Sequence, residues 1–204
     1  MRSLDDYKVV FSAVVLILAL LVASPAIRRL LVLPRTEFFS ELWMLGPDHQ
    51  AENYPYNISR NHNYTVFLGI GNHLGRCSYY LVEVKFHGKS QYGSENLDSS
   101  FNGSSPLPSL YNITAFASSE GVWERPLTFS FDYAYNVTLS LVRFYSLTLN
   151  SIKLAMTNYQ TTWNQSTKEF YGNLFFELWL YNVTTSSFQF HGRYVNLRLN
   201  MTIS

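Results

Sequence analysis

Ser78-Tyr79-Tyr80-Leu81-Val82-Glu83-Val84-Lys85-Phe86 sets Tyr80, Val82, Val84 and Phe86 on one side and Leu81, Glu83 and Lys85 on the other. That two-residue period is the pattern of a β-strand with one face turned inward. The same pattern recurs on both sides, in short runs rich in Val, Phe, Tyr, Thr and Leu between clusters of Gly, Pro, Asn and Ser. It predicts strands over 37–45, 64–71, 78–86, 110–117, 127–133, 137–149, 152–156, 170–181 and 188–202. Strands of that number and length suit a mainly β, two-sheet sandwich.

Composition bounds the rest. The chain has 204 residues, 47% hydrophobic, 14% charged and 17% aromatic, with a net charge of +1. One core fits that length, and so apolar a chain is not intrinsically disordered. A near-zero, scattered charge leaves no electrostatic footprint for nucleic acid. Residues 87–109, rich in Gly, Ser and Asn, predict a long exposed loop suited to partner binding.

Ahead of the strands, residues 9–26 read VVFSAVVLILALLVASPA, 18 in a row without a charge. At ~1.5 Å per residue they reach about 27 Å, close to the hydrocarbon thickness of a bilayer. A cleaved signal peptide is the competing reading, with Arg2 and Lys8 as its basic end and Ser24-Pro25-Ala26 as its cleavage site. The run exceeds the usual signal core of roughly 7–15 residues, so one N-terminal transmembrane helix is expected, bent or ended by Pro25. Its small residues Ser12, Ala13, Ala19 and Ala23 would let another helix approach closely. Domains are then expected at 1–33, an anchor with a short cytoplasmic end, and 34–204, the sandwich.

Basic residues flank the apolar run on both sides, so charge does not orient it. Sequons do. Asn57, Asn63, Asn102, Asn112, Asn136, Asn164, Asn182 and Asn200 each begin an Asn-x-Ser/Thr acceptor. That makes eight, against about three expected by chance from 16 Asn and 36 Ser plus Thr. The excess points to N-glycosylation of an extracytoplasmic C-terminal domain on a cell membrane. Cys77 stands alone, excluding an intramolecular disulfide, and is expected to be a small buried hydrophobe.

No catalytic constellation emerges. Gly69-Ile70-Gly71-Asn72-His73-Leu74-Gly75 has the wrong spacing for a phosphate loop and precedes a strand, so 72–75 is expected to be a hairpin turn with Gly75 at positive φ. Asp48, His49 and Glu52 lack ligand spacing, and His62, His73, His87 and His191 show no metal-type pairing. Glu41 and Glu177 lie in an echoed run, Phe38-Phe39-Ser40-Glu41-Leu42-Trp43 and Phe175-Phe176-Glu177-Leu178-Trp179. They would form a carboxylate pair only on adjacent strands, and are expected instead to face solvent or pair with Arg. Trp43, Trp123, Trp163 and Trp179 could build a sugar-stacking platform, with core packing the favoured alternative.

Three groups of motifs follow in order: Pro34-Arg35-Thr36-Glu37-Phe38-Phe39-Ser40-Glu41-Leu42-Trp43-Met44-Leu45-Gly46-Pro47 with Ala51-Glu52-Asn53-Tyr54-Pro55; Val66-Phe67-Leu68-Gly69-Ile70-Gly71-Asn72-His73; and Trp123-Glu124-Arg125-Pro126-Leu127-Thr128-Phe129. Together they resemble the extracytoplasmic domain of an archaeal family of membrane proteins known only as a domain of unknown function. The resemblance covers most of residues 34–204. It implies an immunoglobulin-like β-sandwich outside an archaeal membrane and brings no catalytic residues or cofactor. Family members typically carry several membrane helices before this domain, where this chain has one.

The expectation is a non-catalytic, single-pass, glycosylated accessory subunit or surface scaffold. Its partners are the lipid bilayer, a membrane protein and covalent N-glycans, with no nucleic acid and no cofactor. A carbohydrate-binding module working through Trp163 or Trp123 is the alternative.

Overall fold

The uncharged residues 9–26 lie within one helix, α1 (Leu4–Leu30), which continues through Pro25 rather than ending there. The computed structural model describes residues 4–30, 37–88 and 103–203, with side chains in α1 from 7 to 20. Every one of those α1 side chains is exposed, and the Ser12 hydroxyl donates to the Lys8 carbonyl at 2.8 Å. Among the described residues no helix is long and apolar enough to cross a membrane. The chain divides into two units, Met1–Phe38 and Phe39–Ser204.

Among its described residues the second unit holds eleven strands: β1 (Phe39–Leu45), β2 (Asn57–Ile58), β3 (Tyr64–His73), β4 (Ser78–Gly88), β5 (Ser109–Ala117), β6 (Val122–Asn136), β7 (Leu141–Leu149), β8 (Ile152–Ala155), β9 (Gln160–Thr162), β10 (Tyr171–Asn182) and β11 (Ser187–Met201). The protein is mainly β, in two sheets. One runs β1-β3-β6-β7-β8, with β9 also paired to β7, and the other β2-β11-β10-β4-β5. The pairs are antiparallel except β2 with β11.

The inward positions read from 78–86 are those the fold buries. Tyr80, Val82, Val84 and Phe86 are each fully buried. Phe86 meets Phe131 of β6 and Phe144 of β7 from the opposite sheet, at ring separations of 5.3 and 4.8 Å. Burial of such rings is the main driving term, with added preference for tilted and edge-on contacts. Gly172 leaves the space Phe86 occupies, since a β-carbon there would overlap that ring.

The turn expected at 72–75 is a corner. β3 belongs to one sheet and β4 to the other, so the chain changes layers there instead of forming a hairpin. Gly75 does adopt positive φ, at 70°. Asn72 holds the corner: its fully buried amide nitrogen donates toward the carbonyls of Arg76, Ala117 and Ser118 at 2.8 to 3.0 Å. Its Oδ1 accepts from Leu74 N–H and the Tyr80 hydroxyl, both at 3.1 Å. A corner leaves backbone groups without a ladder partner, and one buried amide here satisfies them.

Other differences have local causes. Residues 137–140 turn rather than extend, because the Asn136 side chain accepts the Leu139 N–H at 3.0 Å. β6 begins at Val122 and includes Pro126, within the stretch that β7 does not cover; strand prolines belong beside such unpaired backbone. Cys77 is exposed rather than buried, lying between the corner and the first residue of β4. The echoed runs occupy unrelated positions, β1 at the edge of one sheet and β10 inside the other.

Candidate functional site

The outward face of β4 and β10 carries a buried charge cluster. Lys85 and Glu177 are each 3% exposed, with Nζ to Oε2 at 2.8 Å, and Glu83 Oε2 lies 3.0 Å from the same Nζ. The Ser105 N–H donates to Glu177 Oε1 at 2.9 Å, and Lys85 donates to the Ser105 carbonyl at 3.2 Å. The 87–109 loop was expected to be exposed. Its described end instead lies over this face, with Leu107 buried; residues 89–102 lie outside the described residues. Cover on both faces explains how a charged pair comes to be buried on a strand that alternates. Glu177 therefore neither faces solvent nor pairs with Arg. A carboxylate pair with Glu41 is excluded by their different sheets.

Glu41 belongs to another cluster. His73 Nδ1 lies 2.9 Å from Glu120 Oε2, its Nε2 lies 3.5 Å from Glu41 Oε2, and its ring stacks on Phe39 at 4.7 Å. The Glu120 hydrogen bond raises the His73 pKa above its ordinary value. Burial lowers the pKa of His87 and of His191. His49 turns from Asp48 and Glu52 to Glu124, 3.3 Å away, and lies against Phe67. No group of three or more His, Cys, Asp or Glu suited to a metal ion gathers among the described residues.

A groove of about 530 Å³ runs along the seam where β5, the edge of its sheet, faces the free side of β6. Tyr111, Ile113, Trp123, Arg125, Pro126 and Asn150 help to line it. All four tryptophans are half-buried. Trp43 donates to Glu124 at 3.0 Å, Trp163 packs on Phe170 and Trp179 packs on Phe190, leaving Trp123 as the one in the groove wall.

Of the acceptor asparagines, Asn57, Asn63, Asn112 and Asn136 are exposed and Asn164, Asn182 and Asn200 half-buried. Asn102 lies outside the described residues. Their placement follows the strand ends. Phe39, Ala117 and Val122 share one end of the sandwich with the 73–78 corner. Asn57, Asn136, Asn164 and Asn200 lie at the opposite end, where β6 meets β7, β9 leads into β10, and β2 meets β11, whereas Asn182 lies at the first end. Apolar side chains are exposed at both ends, Phe39, Tyr79, Phe116 and Val122 at the first and Val137, Leu139 and Ile203 at the other. Strand alternation alone does not reveal the gathering of acceptors, because it emerges only when the ends are aligned.

No protein-family model matches the sequence, and no curated protein is significantly similar to it.

Proposed function

We propose that the chain is a single-pass, N-glycosylated membrane protein whose β-sandwich acts without catalysis, as an accessory subunit or surface scaffold through contacts with a membrane-protein partner. The observation that carries the reading is the gathering of acceptor asparagines at one end of the sandwich. Asn57, Asn136, Asn164 and Asn200 lie at the end opposite the 73–78 corner, and Asn182 at the corner end. Accessible acceptors of this number suit a domain held outside the cytoplasm. The uncharged stretch 9–26 within a 27-residue helix supports the anchor. The motif resemblance supports an immunoglobulin-like arrangement outside an archaeal membrane.

Purification of the full chain from membranes in mild detergent tests the assignment. A defined multi-helix partner should come with it at fixed stoichiometry, and recovery of this chain alone argues against an accessory role. Intact-mass spectrometry reads N-terminal cleavage and glycan number in the same sample.

The seam groove favours a second reading, a carbohydrate-binding module. An aromatic wall with Arg125 and Asn150 beside it suits a pyranose ring, which needs an apolar face and polar edges. Titration of cell-surface oligosaccharides should then change tryptophan fluorescence in the unmodified chain and leave Trp123→Ala silent. An unresponsive wild-type chain removes this reading.

A further inference from the structure

Two acceptor triplets far apart in sequence lie side by side in the fold. Asn57-Ile58-Ser59 and Asn200-Met201-Thr202 run parallel, with Asn200 opposite Asn57 and Met201 opposite Ile58. Asn200 N–H donates to the Tyr56 carbonyl at 2.7 Å and Thr202 N–H to the Ile58 carbonyl at 2.9 Å. The side chains join as well. Asn200 Nδ2 donates to Asn57 Oδ1 at 3.0 Å, and the Ser59 and Thr202 hydroxyls stand 3.3 Å apart.

The two asparagines are nevertheless unlike. Asn200 is half-buried, its Oδ1 accepts from Phe170 N–H at 3.3 Å, its Nδ2 is held by Asn57, and its triplet hydroxyl donates to the Ile58 carbonyl at 3.0 Å. Asn57 is exposed, and within the pair its Oδ1 is the acceptor, leaving its own amide nitrogen outside that bond. N-glycosylation requires the acceptor amide nitrogen and the hydroxyl two residues on to enter a transferase together. Asn57 and the exposed Ser59 meet that requirement in the folded unit.

We propose that the paired triplets are mutually exclusive acceptors, with Asn57 carrying the glycan and Asn200 serving as the amide that braces it; this rests on the glycoprotein reading above. In the transfer, Asn57 Nδ2 loses one proton and bonds to the anomeric carbon of a phosphate-activated glycosyl donor. The donor's C–O bond breaks and its phosphate leaves with that electron pair. Parallel strands stand about 4.8 Å apart, so two sugars on directly opposed asparagines collide. A chain modified at both positions before folding does not close β2 on β11, and the folded population carries at most one glycan at the pair.

The test is glycopeptide mass spectrometry on the folded full chain from a host that N-glycosylates Asn-x-Ser/Thr, for wild type, Asn57→Gln and Asn200→Gln. Asn57 occupancy should exceed that of Asn200 at least tenfold. Asn57→Gln should remove one glycan without transferring it to Asn200, and Asn200→Gln should leave the glycan number unchanged. Glycans at both positions of one chain, at Asn200 in preference, or elsewhere but not at Asn57 overturn the pairing while leaving the glycoprotein reading intact. A chain bare at every acceptor overturns both.

Discussion

Phe39 to Trp43 and Phe175 to Trp179 spell nearly the same run, yet the two glutamates in them meet opposite surroundings. Glu41 sits on edge strand β1 with half of its side chain in water, beside a less accessible His73. Glu177 sits on interior strand β10 beneath the 103–108 segment, bonded to Lys85 and to Ser105 N–H. The tryptophans differ in the same way. Trp43 lies over Gly69 and donates to Glu124, whereas Trp179 packs against Phe190 with Lys85 Nζ 5.8 Å from its ring centre. A Glu-Leu-Trp run on a strand fixes which side chains share a face. The position of the strand in the sheet, and what covers that face, fix whether the glutamate is a surface charge or half of a buried pair.

Removing each glutamate puts the contrast to its hardest test. Glu177→Ala strands a buried ammonium with Glu83 as its remaining carboxylate, and should cost about 3 kcal/mol in urea denaturation of the full chain. Replacing both partners, as Lys85→Met with Glu177→Leu, should recover most of that loss, because two apolar groups leave no unpaired charge. A double variant as unstable as Glu177→Ala would mean that the pair stabilises beyond its own desolvation cost.

Gly69→Ala strikes the other run. The added methyl overlaps the Trp43 indole on the neighbouring strand, an overpacking expected to cost about 1–3 kcal/mol and to alter tryptophan fluorescence. A Trp43→Ala background should remove most of the penalty if the collision is its cause.

Protonation separates the two regions by sign. His73 has a raised folded pKa, so its stabilisation is fully present below the unfolded value of 6.5 and is lost as pH climbs through the folded pKa. His87, on the same outer face as Lys85, and His191 have lowered folded values. Their contribution is present above 6.5 and is lost as pH falls toward the folded pKa. Melting temperature followed from pH 7.5 to 5 should therefore decline less steeply in His87→Phe than in wild type, and more steeply in His73→Asn. The smallest effect belongs to Glu41→Ala, expected within about 0.5 kcal/mol of wild type in the same denaturation experiment.

The longer strands were legible because alternation is a local signal. All nine expected runs begin or end within a few residues of a real strand, and 137–149 overran only where Asn136 caps a turn. β2 and β9, of two and three residues, are too short to show a period. Layer membership was illegible too, since nothing in 72–77 distinguishes a hairpin from a corner until Asn72 meets Ala117 and Ser118. Cys77 was misjudged from residue type alone, which carries no information about a linker outside the core. Glu177 was misplaced because alternation assumes one wet face, and here the outer face is covered by a segment from elsewhere in the chain. The groove depends on β7 stopping short along β6, a register property no single run displays.

The Tyr133 hydroxyl lies 2.7 Å from the carbonyls of both Ile58 and Thr202. It works as a clasp joining the middle of the chain to an early segment and a late one, in a contact spanning 143 residues between Ser59 and Thr202. A polypeptide made from its amino end must hold β2 and one side of β4 unpaired until β10 and the fifteen-residue β11 arrive. Such distant closure is slow and leaves sticky backbone uncovered meanwhile. Nascent chains of this protein should accordingly depend on a holding chaperone for the interval before the clasp engages.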